Sequence, residues 1–282
     1  MIKNKFIIFH KISKLFFFFW MFNNFGNGHI ILYLGPMFGS KSSALYDELI
    51  RRHYGGQKSL MVKKSSDNRY NENKIETHDK KYNNIKNQKI VDNVYIYEIE
   101  DGIEINTVNC DYLYEINETV KKYDVVLIDE IQFFNDASIY CDKWANDGKI
   151  IIGAGLIGTF NRTLFNVIAQ LIPRSEYIFI KNAVCKDTGK TASFSERLVK
   201  TNEEVLIGGK ESYKPVDRKT YFYDMSIGEY RNYIFNEIIN FAVIINFPIN
   251  DKQKEKIKQK LNDDIKNNSF VGDYYQYLQN NI

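Results

Sequence analysis

The sequence predicts an α/β fold built on a mainly parallel sheet covered on both faces, and three observations carry that prediction. Short, continuous Val/Ile/Leu runs recur along the chain, at HIILYL (residues 29–34), KYDVVLIDE (122–130) and KIIIGAGL (149–156). Segments with helical spacing alternate with them: ALYDELIRRHY follows the first run, and DASIYCDKWANDG (136–148) separates the other two. Strands buried on both faces lose the apolar/polar alternation of a half-exposed sheet, and parallel neighbours need crossover helices. The third observation is size: 282 residues with 44% hydrophobic content can bury a substantial core as one large domain or as a domain with an appendage.

Charge and cysteine content narrow the class. Lys and Arg together number 38 against 35 Asp and Glu, so a net charge of +3 supplies no field for steering onto nucleic acid, and no nucleic-acid partner is expected. Cys110, Cys141 and Cys185 are few, odd in number and widely spaced. That usage fits a reducing compartment, hence a cytoplasmic location, rather than a disulfide framework. The excess of Asn, Ile, Lys, Tyr and Phe follows from an AT-rich genome as readily as from function, so the aromatic content is not read as a signal. The amino terminus, MIKNKFIIFHKISKLFFFFWMF, has basic residues followed by an apolar run. Bounded by Lys14 and Asn23, the run falls short of the roughly 20 apolar residues of a membrane span, and no small-residue cleavage site follows. Residues 1–28 form an amino-terminal extension for which two readings stand: its apolar stretch lies upstream of a true start at Met21, or it is an added peripheral or targeting segment.

Taken in order, HIILYL is the first strand, and the glycine-containing loop after it opens the first helix. KSLMVKK (58–64) is a second strand. Residues 71–121 are rich in Asn, Lys and Tyr with weak periodicity and read mostly as an elaborated loop, with one or two short elements around NVYIYEIE. KYDVVLIDE is a strand ending in two acids, DASIYCDKWANDG a helix closed by Gly148, and KIIIGAGL a further buried strand. Past residue 180 the pattern changes to SEYIFIKNAV, a polar stretch and the pair Gly208 and Gly209, which suggests a small second lobe over 181–222. The tail, 223–282, carries an amphipathic stretch, NYIFNEIINFAVIINF, and a mixed-charge run, DKQKEKIKQKLNDDIKNN, expected as a helical appendage. The nucleotide-binding domain is then 29–180.

The loop after the first strand reads GPMFGSKSS (35–43). Backbone N–H groups converging with a helix amino terminus make an anion cradle, to which a lysine adds a point charge and a hydroxyl a ligand for magnesium. Here Gly35 opens the loop, Lys41 would reach the outer phosphates, and Ser42 would ligate the metal. LIDE, at the end of its apolar strand, supplies the complementary acid: Asp129 would hold magnesium directly or through water. Glu130 beside it would orient water in an ATPase, or accept the proton of a substrate hydroxyl in a small-molecule kinase.

Eight segments, GPMF with SKS, SSDNRY, THDK, IDEIQFF, GTFNR, AVC, SERL and IGGKESY, occur in the order shown by the type II thymidine kinases, and residues 29–222 resemble that family. The resemblance implies a RecA-like α/β domain with a small zinc-bearing lobe. It also implies transfer of the γ-phosphate of ATP to the 5′-hydroxyl of thymidine with Mg2+, and homo-oligomers, commonly tetramers. By motif, Gly35, Pro36, Met37, Phe38, Gly39, Ser40, Lys41 and Ser42 fall on the phosphate loop, and Asp67, Asn68 and Arg69 on a further nucleotide-contacting stretch. Asp129 and Gln132 bracket the segment containing Glu130, the family's proton acceptor. Phe160 and Tyr213 match aromatics of the thymidine site, and Glu204, Val205, Leu206, Ile207 and Gly208 a loop whose backbone meets the base. Arg69 and Arg162 are candidate helpers of charge neutralisation.

Three departures from the family stand out. Its zinc lobe uses two C-x-x-C pairs; this chain keeps Cys185 but has Thr188, Asp217 and Thr220 at the other positions, so no structural zinc is expected and hydrogen bonding or packing must hold the lobe. His53 and His78, far from those positions, read as simple polar residues. Ile157 stands where the family has an acid, and Ser40 replaces the glycine before the lysine, at a cost of about 1–3 kcal/mol if its backbone is strained. Gly39 is expected to absorb that strain. A degenerate relative that binds nucleotide or a partner without turnover is the alternative, and a general P-loop ATPase leaves GTFNR and IGGKESY without a role.

Overall fold

The first apolar run folds as β1 (His29–Gly35), the spine of a sheet in the computed structural model, which describes residues 28–65, 87–99, 102–199, 209, 211–223, 226–267, 269–270 and 272–281. The expectations for residues 1–27, Asp67, Asn68, Arg69, His78 and the loop of Glu204, Val205, Leu206, Ile207 and Gly208 lie outside the described residues. β2 (Ser59–Lys64), β3 (Asn87–Val91), β4 (Val94–Glu98), β5 (Glu104–Cys110), β6 (Val125–Ile128), β7 (Ile150–Leu156) and β8 (Tyr177–Ile180) complete it, in the order β3-β4-β5-β2-β6-β7-β1-β8. Pairings from β5 across to β8 are parallel; β3 and β4 join antiparallel at one edge.

Alternate residues of β1 serve opposite faces, as a pleated strand requires. Ile30, Leu32 and Leu34 enter a core with Val126, Ile151, the helix α3 (Ala137–Asn146) through Cys141 and Trp144, and α4 (Asn166–Leu171) through Ile168 and Leu171. Ile31 enters the other core with Met61, Leu127, Ile152 and the Leu45, Tyr46 and Leu49 side of α1 (Lys41–Tyr54). Leu45, Tyr46 and Leu49 recur at helical spacing, so one stripe of α1 is buried while Asp47 and Arg51 face water. Trp144 satisfies its indole N–H by donating to Asn117 Oδ1 at 3.0 Å, at the start of the single-turn α2 (Asn117–Val120).

Within residues 71–121, β4 falls on the short element expected around NVYIYEIE, whereas β3, β5 and α2 depart from the loop expectation. The side chains of β3 (NQKIV) are all exposed and β5 (EINTVNC) mixes polar and apolar on both faces, so neither shows the apolar run that marks the buried strands. A two-residue Asp92-Asn93 turn with positive φ at both positions joins β3 to β4, the geometry such a hairpin requires.

The small lobe hangs from the end of β8 as two ribbons. β9 (Ala183–Val184) pairs with β10 (Thr191–Ala192), and β11 (Phe194–Arg197) with β12 (Tyr213–Val216), placing Arg197 opposite Tyr213. The β9–β10 turn closes through Cys185 N–H donating to Lys190 O at 2.8 Å.

The chain divides into compact units Met1–Asp217 and Arg218–Ile282. The second contains α5 (Arg218–Tyr223), α6 (Ile227–Ile244), α7 (Asp251–Lys266) and α8 (Tyr274–Asn281). Ile234, Ile238, Ala242, Ile257, Leu261 and Leu278 form its buried core. Both long helices start on capping boxes, Ser226 with Glu229 and Asn250 with Gln253. Among the described residues no helix is long and apolar enough to cross a membrane.

Candidate nucleotide-binding site

At the carboxyl end of the parallel strands, the loop after β1 and the acids after β6 face one cleft. β7 lies between these two strands, so the site depends on what β7 allows above it. A side chain at Gly155 would place its Cβ 2.5 Å from Gln132 Oε1, so glycine at this position lets the 131–133 turn cross close over β7. Gln132, 3% exposed, accepts from the Leu156 N–H at 3.0 Å and donates through Nε2 to Glu130 Oε2 at 2.6 Å. Glu130 sits in the left-handed region, φ 50°, a sparsely populated conformation held by its surroundings. One carboxylate oxygen of Glu130 is thereby oriented from the sheet itself.

Asp129 is 4% exposed, tied at its N–H to Val62 O (3.0 Å), and accepts from the Ser42 hydroxyl at 2.9 Å. The first helical hydroxyl and the strand-end carboxylate therefore converge on one point. A hydroxyl with a carboxylate is an all-oxygen set of the kind that Mg2+ takes, with waters and phosphate oxygens as its other ligands, so these residues fit that ion. Lys41 Nζ lies 2.6 Å from Pro36 O, arched back over its own loop.

The loop backbone answers the question raised by Ser40. Ser40 itself is left-handed (φ 51°, ψ 36°) and its side chain makes no cap to α1. Gly39 is not the residue that absorbs the unusual dihedral, contrary to expectation. Its role is spatial: a Cβ there would lie 2.3 Å from Lys181 O, where the strand leading to the small lobe crosses the loop. The glycine preceding Ser40 is thus required by close approach, and the serine carries the strain.

Met37, Phe38, Gly39, Ser40, Lys41, Ser42, Asp129, Glu130 and Tyr213 line a cleft of about 600 Å³. Gln132 joins through Glu130. Phe160 joins through Arg197, whose guanidinium carbon lies 3.9 Å above its ring and whose Nη2 donates to the Tyr213 hydroxyl at 3.2 Å. Arg162, also left-handed (φ 61°), lies over the Phe194 ring at 5.6 Å. Ile157 packs against the main core, and His53 is exposed at the end of α1 beside Tyr54. Lys186, Asp187, Lys214 and Pro215 also line the cleft and had no assigned role from sequence. Lys214 directly follows Tyr213, and Lys186 and Asp187 follow Cys185, so neighbouring motifs were the available signal. Arg197 and Ser195 fall within SERL, one of the segments that match the family in order.

The former metal positions hold a different arrangement. Cys185 is fully buried, and the Thr188 hydroxyl donates to Asp217 Oδ2. One thiol and one carboxylate already engaged by a hydroxyl do not fit a zinc centre that needs four soft or imidazole donors. Burial pushes the Cys185 thiol up, but the Thr188 side chain and backbone groups of Asp217, Thr188 and Asp187 more than offset it, bringing it down to about 7.

A glycine-containing loop at the head of a helix, with a strand-end acid bonded to the first helical hydroxyl, defines a P-loop protein of the α/β class. The family model described as thymidine kinase matches residues 28–113 and 99–221. Over 195 residues the chain is 38% identical to the thymidine kinase of Sheeppox virus (strain KS-1), covering 69% of this chain and 97% of that one. It is 40% identical over 194 residues to the thymidine kinases of Vaccinia virus (strain Western Reserve) and Monkeypox virus, with the same coverage. The chain belongs to the thymidine kinase family.

Proposed function

We propose that this protein is an ATP-dependent thymidine kinase, moving the γ-phosphate of ATP to the 5′-hydroxyl of thymidine to give dTMP. The observation that carries the reading is the placement of Lys41, Ser42, Asp129 and Glu130 around one cleft that Tyr213 also lines. Phosphoryl transfer passes through a loose transition state, so the protein's contribution is positioning and charge stabilisation. Residues 35–42 and the amino end of α1 hold the phosphates, and Lys41 moves from the Pro36 carbonyl to the outer phosphates. Ser42 and Asp129 would hold Mg2+, which when bound supplies neutralisation of the phosphate charge. Glu130, its carboxylate steadied by Gln132, holds the nucleophilic hydroxyl in line and takes its proton as the new bond forms.

Phe160 and Tyr213, bridged by Arg197, supply aromatic surface for the pyrimidine. Asp67, Asn68, Arg69 and the loop of Glu204, Val205, Leu206, Ile207 and Gly208 are assigned to nucleotide and base by motif alone. A cytoplasmic location and a homo-oligomer, tetrameric by family resemblance, complete the reading. The test is transfer of label from γ-labelled ATP to thymidine by the purified chain, with ATP hydrolysis measured in parallel. Label in dTMP supports the kinase. Nucleotide binding without label transfer supports the non-turnover relative, and hydrolysis indifferent to thymidine supports a general ATPase.

A further inference from the structure

The phosphate loop is not a free arch. It is gripped on three sides by the small lobe. Lys181 O lies where any side chain at Gly35 or Gly39 would place its Cβ, at 2.1 and 2.3 Å respectively, so the loop and the strand leaving β8 are in backbone contact. The Met37 N–H donates to Ser195 Oγ at 2.9 Å, a buried bond that ties the loop to β11. Phe38 packs against Ala183, Cys185 and Ala192, the apolar interior of the β9–β10 ribbon. Phe38 also has φ 62°, a conformation an aromatic residue keeps only when its surroundings hold it there.

What holds those surroundings is the cluster behind Cys185. Its buried sulfur meets the Thr188 side chain and backbone groups of Asp187, Thr188 and Asp217. Thr188 in turn donates to the Asp217 carboxylate, which is 6% exposed at the end of β12. The bond therefore links the β9–β10 turn to the far ribbon of the lobe. A buried carboxylate accepting a hydroxyl is the stronger kind of hydrogen bond, and removing one partner leaves the other desolvated without compensation.

We propose that Thr188 and Asp217 are positioning residues for ATP: their hydrogen bond, with no metal ion, closes the small lobe around Cys185 and so fixes Phe38 and Met37 of the phosphate loop. The inference rests on the reading that residues 35–42 bind ATP. The two fail separately, because loss of ATP binding by the parent protein overturns that reading, whereas the loop's own amide exchange reports on the lobe whatever the ligand.

The experiment uses the full chain and Thr188→Val, which keeps the shape and removes the hydroxyl, with Thr188→Ser as the conservative control. Expected results for Thr188→Val are a KM for ATP raised about five- to tenfold, a kcat within about twofold, and faster hydrogen exchange of the 37–40 amides, with Thr188→Ser close to the parent. Metal analysis of the parent should give well under one zinc per chain, and a chelator should leave its melting temperature unchanged. If Thr188→Val does not fold, Asp217→Asn serves instead, keeping an acceptor without the charge and raising the KM for ATP about two- to threefold. An unchanged loop exchange and KM for ATP in a folded Thr188→Val protein would overturn the proposal. So would stoichiometric zinc whose removal melts the lobe.

Discussion

The α/β unit and the carboxy-terminal helical unit obey different local rules. In the helical unit, α6 and α7 begin on complete capping boxes, and the left-handed non-glycine residue described after α6 is Asn246, a residue type that tolerates the conformation. In the α/β unit, apart from the Asp92-Asn93 hairpin turn, left-handed backbone falls on Phe38, Ser40, Glu130 and Arg162. None of these is a residue type that chooses it. Three of the four lie on the phosphate loop or carry the strand-end acid. Strain concentrated at one cleft, in contrast to two long helices that begin on complete capping boxes, is the pattern expected when one region is shaped for chemistry and the other for stability.

Glu130→Gln tests that contrast at its strongest point. Turnover of thymidine should fall about 10²- to 10⁴-fold while ATP affinity, read by titration of a fluorescent ATP analogue, stays within a few-fold. A variant that turns over like the parent would remove Glu130 from the reaction. In the helical unit the largest effect should come from packing: Ile238, 0% exposed, when cut to alanine should lower unfolding free energy by about 2–4 kcal/mol in denaturant titration. The KM values of the folded Ile238→Ala protein should stay within about twofold. A large change there would end the separation of roles.

Relief of strain should be smaller. Ser40→Gly removes the Cβ from a left-handed position and should stabilise the protein by about 1 kcal/mol, seen as a rise in melting temperature. A fall instead would mean that the serine side chain contributes more than its backbone costs. The smallest effect is a pH dependence. Burial pushes the Asp264 carboxyl up, but bonds from Lys260, Tyr277 and Ser269 outweigh it and hold it below the ordinary carboxylate value. Its contribution is therefore present above the unfolded value of 3.8 and is lost as pH falls through the lower folded value. Asp264→Asn should flatten the acid limb of stability below about pH 4, measured by unfolding of parent and variant at matched pH.

Much of this architecture was legible because burial on both faces writes itself as composition. β1, β6 and β7 were readable from continuous apolar runs, and α1 and α3 from their spacing after turn residues. β3 was not, since an exposed edge strand has no reason to be apolar, and β5, inside the sheet between β4 and β2, was not because Asn106, Thr107 and Asn109 interrupt its apolar run. α8, YYQYLQNN, buries Leu278 but offers too short a pattern to separate from a polar tail. In the cleft, Lys41, Ser42, Asp129 and Glu130 could be named from motif order. Arg197 and Ser195 could not be given roles, because their partners, Phe160 with Tyr213 and the Met37 N–H, come from elsewhere in the chain.

By itself, then, the order of residues decided the fold class and the family and named the candidate site residues, since each depends on local pattern. Only the tertiary structure decided who bears the strain in the phosphate loop. Gly39 looked like the flexible residue, yet Lys181, 142 positions away, needs its space, and the unusual dihedral passes to Ser40. The same holds for Thr188 and Asp217, which read as losses until the chain brings them together. Contacts between distant segments set these outcomes, and no local rule contains them.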